Sequence, residues 1–201
     1  MKRRLSLIVL LALVVLLVVA AGASASSWYA GNARNSAYGV RGDISTPSTA
    51  PYVGSSGESN WVSTPGPTYW VQAGWRYYGG YSAARSYYEY SLPSGYNLVE
   101  TSNQAWGVAR NYEVSHAGSG YWTVKIGGVT QGSWGTISAP VSQVKAMSES
   151  HYTTVQLNTQ FNNVYYRTSS SWYTFDQSNW RTDSPYYLTI TYTYRYKTLG
   201  P

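Results

Sequence analysis

Eight Asp and Glu residues are few for a chain of 201, and two of them sit where a carboxylate could do chemistry. Glu89 interrupts the aromatic run "SYYEYSL", flanked by Tyr88 and Tyr90. Glu149 lies in "QVKAMSESHY", where an extended backbone would put Gln143, Lys145, Met147, Glu149 and His151 on one face. A carboxylate set among aromatics on a sheet has its charged form disfavoured, which suits it to act as a general base or acid. A third residue of interest is Gln72, the lone amide in "TYWVQAGWRYY", residues 68–78. Read as a strand, that run puts Tyr69, Val71, Ala73 and Trp75 on one face and Trp70, Gln72 and Gly74 on the other. Gln72 then either faces solvent or a neighbouring strand, or holds a reacting group in a cleft. The usual reading of such Glu residues is as surface charges paired with Lys or Arg. The residues alone leave both readings open.

Other chemistries are poorly supplied. The only histidines are His116 and His151, there is no Cys and no HExxH, so a His-rich zinc site is not expected and no metal or other cofactor is implied. There is no G-x-S-x-G elbow for a serine nucleophile, and no P-loop or dinucleotide fingerprint. Arg41-Gly42-Asp43 is short enough to recur by chance and is taken as an ordinary turn.

The elements that would position these residues are strands and turns. Segments such as "GVRGDIST", "WVST", "RSYYEYSL", "YWTVKIGGV" and "YYLTITYTYRYK" alternate with period two, punctuated by "PGP" (residues 65–67), "PSGYN" and "AGSG". In "YWTVKIGGV", Trp122, Val124 and Ile126 share a face. The last of these segments reads as one continuous strand with Leu188, Ile190, Tyr192, Tyr194 and Tyr196 on one side. No amphipathic helical window and no long repeat is visible. The expected fold is all-β, an antiparallel sandwich or barrel. Twenty-two Tyr and nine Trp against two Phe mean that nearly every aromatic carries a polar tip. Such side chains suit sandwich cores and binding grooves alike.

The N-terminus reads as a targeting segment. Lys2, Arg3 and Arg4 precede the apolar run "LSLIVLLALVVLLVVA" and an Ala23-Ser24-Ala25 cleavage site. The expected organisation is a signal peptide at 1–25, an N-terminal linker at 26–35 and one sandwich domain at 36–201. The product is expected to be secreted, with no membrane attachment after cleavage, and monomeric. Without Lys2, Arg3 and Arg4, eleven basic residues face eight acids, a net charge of +3. No Lys/Arg cluster is present, so a nucleic-acid partner is not expected. With no Cys, packing alone must stabilise the fold in an oxidising compartment.

The order of four short motifs adds to this. Trp61-Val62, then Val71-Gln72-Ala73-Gly74, then Tyr87-Tyr88-Glu89-Tyr90, then Ala146 with Glu149 resembles the glutamic peptidase-like β-sandwiches, the eqolisins and the neprosin-like proteins. The likeness covers roughly Trp61–Tyr166, about half the chain. The resemblance implies a concanavalin or jelly-roll-like sandwich of two curved antiparallel sheets with a substrate groove on the concave face and no cofactor. It implies Glu149 as general base for an attacking water and Gln72 as the amide that stabilises the oxyanion, with the two one water apart. Trp61, Glu89, Trp75 and Tyr88 are the expected substrate-binding residues, and the substrate would be a polypeptide. The fourth motif departs from the pattern, since "MSESH" is polar where the family has Trp and branched aliphatics. The alternative is a secreted, non-catalytic β-sandwich that binds glycan or cell-wall polysaccharide on Trp and Tyr platforms.

Overall fold

The computed structural model describes residues 27–54, 56–64, 68–135 and 137–201. The expected signal peptide and the Pro65-Gly66-Pro67 turn lie outside the described residues. Fifteen strands are formed and no helix among the described residues: β1 (Trp28–Ala37), β2 (Gly39–Ser45), β3 (Gly57–Thr64), β4 (Trp70–Tyr78), β5 (Ala84–Leu92), β6 (Gly95–Gln104), β7 (Ala109–Gly118), β8 (Tyr121–Ile126), β9 (Val129–Trp134), β10 (Val141–Ser150), β11 (Leu157–Arg167), β12 (Trp172–Thr174), β13 (Asn179–Thr182), β14 (Tyr187–Tyr192) and β15 (Arg195–Gly200). They make two antiparallel sheets. The first runs β13-β1-β10-β3-β4-β5-β6, and the second runs β14-β15-β11-β2-β7-β8-β9 with β12 added on β11.

The alternation of each strand decides what lies between the sheets. Val62 of β3, Val71, Ala73 and Trp75 of β4, and Val144 and Ala146 of β10 point inward from the first sheet. Val40 and Ile44 of β2, Tyr112 and Val114 of β7, Trp122 and Val124 of β8, Phe161 of β11 and Tyr196 of β15 meet them from the second. Tyr can serve here in place of Phe because its hydroxyl finds a partner. Tyr196 donates to the Ala146 carbonyl at 2.5 Å, and its ring stacks on Phe161 at 5.0 Å. Tyr112 bonds Gln104 and Ser86. Trp122 donates its Nε1–H to the Ile137 carbonyl at 2.9 Å. A buried aromatic with a satisfied polar tip costs nothing for its hydrogen bond and brings a large apolar area.

Three expectations change. Residues 26–35, expected as a linker, carry most of β1, which pairs with β10 and β13 inside the first sheet. Its run of small and polar residues, "WYAGNARNSA", hides a strand from hydropathy. Gly31 belongs there because a Cβ would sit 2.3 Å from the Ala146 carbonyl of the neighbouring strand. The last segment is not one strand but a hairpin, β14 and β15, so Ile190 and Tyr192 are exposed while Tyr196 is fully buried. Arg41-Gly42-Asp43 lies in the middle of β2 rather than at a turn.

Candidate active site

The outer face of the first sheet carries a groove of about 700 Å³. Its floor is written in the ladder. One row of paired residues crosses the sheet as Ala33 (β1), Lys145 (β10), Ser63 (β3), Gln72 (β4), Glu89 (β5) and Leu98 (β6). Two residues along, Met147, Trp61, Gly74 and Tyr87 form the next row. Two further, Tyr29, Glu149, Ser59 and Arg76 form a third. Because paired residues of antiparallel strands project to the same side, all three rows face the groove. Gly74 is required where the second row crosses β4. A Cβ there would lie 1.9 Å from the Asn60 carbonyl and 2.7 Å from the Trp61 Cα.

Gln72 is 7% exposed and its amide points at the neighbouring strand. Its Nε2 donates to Glu89 Oε1 and to the Tyr87 hydroxyl at 3.2 Å. The other Glu89 oxygen accepts the Tyr96 hydroxyl at 2.5 Å. Burial pushes the Glu89 carboxyl above the ordinary Glu range; the Tyr96 hydroxyl opposes this, the charge of Glu149 adds to it, and Gln72 and Arg76 oppose it weakly. Glu149 is held from its own side. Trp61 donates its Nε1–H to Glu149 Oε2 at 3.1 Å, and the Tyr29 hydroxyl reaches Oε1 at 3.3 Å. The Arg181 guanidinium lies 4.3 Å over the Tyr29 ring and Arg76 lies 4.3 Å over the Tyr78 ring, so cations rim the groove beside both carboxylates.

Four expected site residues therefore share the groove: Trp61, Gln72, Glu89 and Glu149. Gln72 and Glu149 are on strands of one sheet and face the same way. Two strand separations and four residues of offset put their Cα atoms about 16 Å apart in a flat ladder, and the carboxylate that contacts Gln72 is Glu89. The groove-facing positions of β10 nearer to Gln72 are Lys145 and Met147.

Two expected residues are elsewhere. Trp75 is fully buried between the sheets, because it is an odd step from Gln72 along β4 and must face the core. Tyr88 is likewise an odd step from Glu89, and it packs on Trp134 at 5.4 Å on the inner side. Neither can touch a substrate in this groove. The groove also takes in residues that the sequence pattern does not single out, among them Tyr29, Arg76, Tyr96 and Arg181. The "PSGYN" segment reads as a turn, but Tyr96 pairs with Ser91 across the β5–β6 hairpin and reaches over Glu89. Among the described residues no group of three His, Asp or Glu converges as a metal site would need.

No family model matches the chain, and no curated protein matches it. Solved structures do. Scytalido-glutamic peptidase bound to a peptide-based transition-state analogue is 13% identical, aligns over 88% of this chain and 99% of its own, and superposes with a TM-score of 0.65. A second structure of scytalido-glutamic peptidase, with a transition-state analogue inhibitor, is 14% identical over 88% and 98% at a TM-score of 0.66. SCP-B, a member of the eqolisin family in complex with the tripeptide Ala-Ile-His, is 12% identical over 88% and 99% at 0.65. At these identities the likeness is one of fold: the chain shares the antiparallel β-sandwich of the glutamic peptidases.

Proposed function

We propose that the protein is a secreted peptidase of the glutamic type, in which a carboxylate activates water and Gln72 steadies the oxyanion. The observation that carries the reading is the contact between Gln72 and Glu89 in a groove that also holds Glu149, on a sandwich shared with glutamic peptidases. Glu89 is the base that the ladder favours, since it alone of the groove carboxylates touches Gln72. A substrate carbonyl entering between them takes one Nε2–H of Gln72 from its resting partner. The water then sits against Glu89, which accepts its proton as the water oxygen attacks the carbonyl carbon. The amide donates to the developing negative charge without titrating. Glu149, fastened by Trp61 and Tyr29, is the second carboxylate and raises the basicity of the first by repulsion.

Glu89→Gln is expected to abolish hydrolysis of denatured protein, and Gln72→Ala to lower kcat by roughly 10²–10³, the usual effect of losing one oxyanion donor. Glu149→Gln is expected to leave activity with a shifted pH profile. Loss of activity in Glu149→Gln with Glu89→Gln still active would move the base to Glu149. Folded wild-type protein that leaves denatured substrate intact from pH 2 to 8 would end the peptidase reading.

A second reading is a groove that binds a polymer without cleaving it. It is favoured by Lys145 and Met147 standing where β10 comes nearest Gln72, and by the Trp70–Tyr96 ring pair, 6.1 Å apart, at the rim. It forecasts polysaccharide or peptide binding that Trp61→Ala weakens, with no turnover.

A further inference from the structure

Among the described residues, Lys145 is the Lys or Arg of the groove that has no counter-ion. It sits in the same row as Gln72 and Glu89, separated from Gln72 by Ser63 alone. Among the described residues it makes no ion pair and no hydrogen bond, whereas the other groove cations do. Arg76 pairs with Glu100 at 3.2 Å and Arg181 with Asp183 at 2.7 Å. The groove's own carboxylates are engaged: Glu89 by Gln72 and Tyr96, Glu149 by Trp61 and Tyr29.

We propose that Lys145 forms a carboxylate-binding subsite of the groove, which selects a ligand carrying an Asp or Glu side chain or a free chain terminus beside the Gln72–Glu89 pair. The chemistry is that of an ammonium partly withdrawn from water on a sheet floor of Ser63 and Met147. Burial, and after it the charge of Arg181, work against its protonated form, and an arriving carboxylate relieves both costs. Neutral peptides offer no such compensation. A charge-assisted hydrogen bond in such a place discriminates acid from amide about tenfold or more. As a specificity device this rests on the peptidase reading; as a binding site it does not.

The test is equilibrium binding to the full-length Glu89→Gln chain, so that no peptide is consumed. The probes are acetylated, C-amidated heptapeptides with one Asp moved along a neutral background, their Asn counterparts, and the same neutral peptide with a free C-terminus. At one position Asp is expected to bind about tenfold tighter than Asn at low salt, and the added Lys145→Met substitution is expected to erase the preference while Lys145→Arg keeps it. If only the free C-terminus is preferred, and Lys145→Met erases that preference, the carboxylate recognised is the chain end. Equal binding of acid and amide everywhere, or a preference that survives Lys145→Met, would overturn the subsite. A Lys145-dependent preference in a wild-type protein that never cleaves would remove the peptidase reading and leave the subsite standing. Cleavage with no preference would do the reverse.

Discussion

Glu58 on β3 is fully buried between the sheets, and replacing it with Gln should change how the protein's stability depends on pH. One carboxyl oxygen accepts from Asn60 Nδ2 at 3.2 Å, and the other, Oε1, has no partner among the described residues. A carboxylate with a single donor in a dry interior is poorly solvated, and burial pushes the Glu58 pKa up to about 8. In the unfolded chain it titrates near 4.3. Between those values the folded protein holds a proton that the unfolded chain has released, so stability falls as pH rises. The contribution is fully present below about pH 4 and is lost progressively as pH climbs towards 8. With 1.36 kcal/mol for each pH unit, the loss by pH 7 is on the order of 3–4 kcal/mol. That is a large share of the 5–15 kcal/mol that holds a domain together.

Urea unfolding followed by Trp fluorescence at a series of pH values reads this directly. Wild type should lose several kcal/mol from pH 4 to 7. Glu58→Gln, which keeps the shape and the acceptor for Asn60 but cannot ionise, should lose that slope and be the more stable of the two at pH 7. Wild type and variant curves that run parallel from pH 4 to 8 would show that Glu58 is not a protonated interior acid.

Other outcomes follow from the groove and core. If Glu89 is the base, activity should fall in acid through a pKa above the ordinary Glu range; Glu149→Gln removes a repelling charge and should move that limb to lower pH, while Tyr96→Phe removes a stabilising donor and should move it higher, both read from pH–rate profiles. Trp75→Ala should cost roughly 3–5 kcal/mol of stability by denaturant unfolding, and a cost below about 1 kcal/mol would contradict its place between the sheets. Gly74→Ala drives a Cβ into the Asn60 carbonyl and should destabilise by about 1–3 kcal/mol or more, with loss of the Trp61–Glu149 contact visible as a change in indole fluorescence.

The parity of the strands was legible in the sequence, and it carried the fold. Val71, Ala73 and Trp75 do lie opposite Gln72 and Gly74, and Trp122, Val124 and Ile126 do face the core, because a strand with one buried face must alternate. The same parity already argued against Trp75 and Tyr88 as groove residues, since Gln72 and Glu89 cannot share a face with a residue an odd step away. What the sequence could not show was register. Whether Glu89 or Glu149 meets Gln72 depends on which residues lie opposite one another across β10, β3, β4 and β5, and no local pattern encodes that. The small-residue strand β1 escaped for a different reason: pairing and close backbone approach make it a strand, with Gly31 and Asn32 supplying neither hydropathy nor β-propensity.

The two carboxyls whose pKa values are raised point the same way. Glu58 on the inner face of β3 and Glu89 on the groove face of β5 both have pKa values raised chiefly by burial, so each contributes stability that is greatest in acid and diminishes towards neutrality. Only Glu89 lies in the groove, and only there would deprotonation have a chemical use. A base must be ionised to accept a proton from water, so the condition that suits catalysis at Glu89 is the one that begins to weaken the fold at Glu58. The working range of such a protein is bounded below by Glu89 and above by Glu58. Glu58→Gln lifts the upper bound without touching the groove. In that variant the acid limb of the pH–rate profile should stay where it is in wild type, while the thermal midpoint at pH 7 rises. A shift of the acid limb in Glu58→Gln would show that the two carboxyls are coupled through the shared sheet rather than independent.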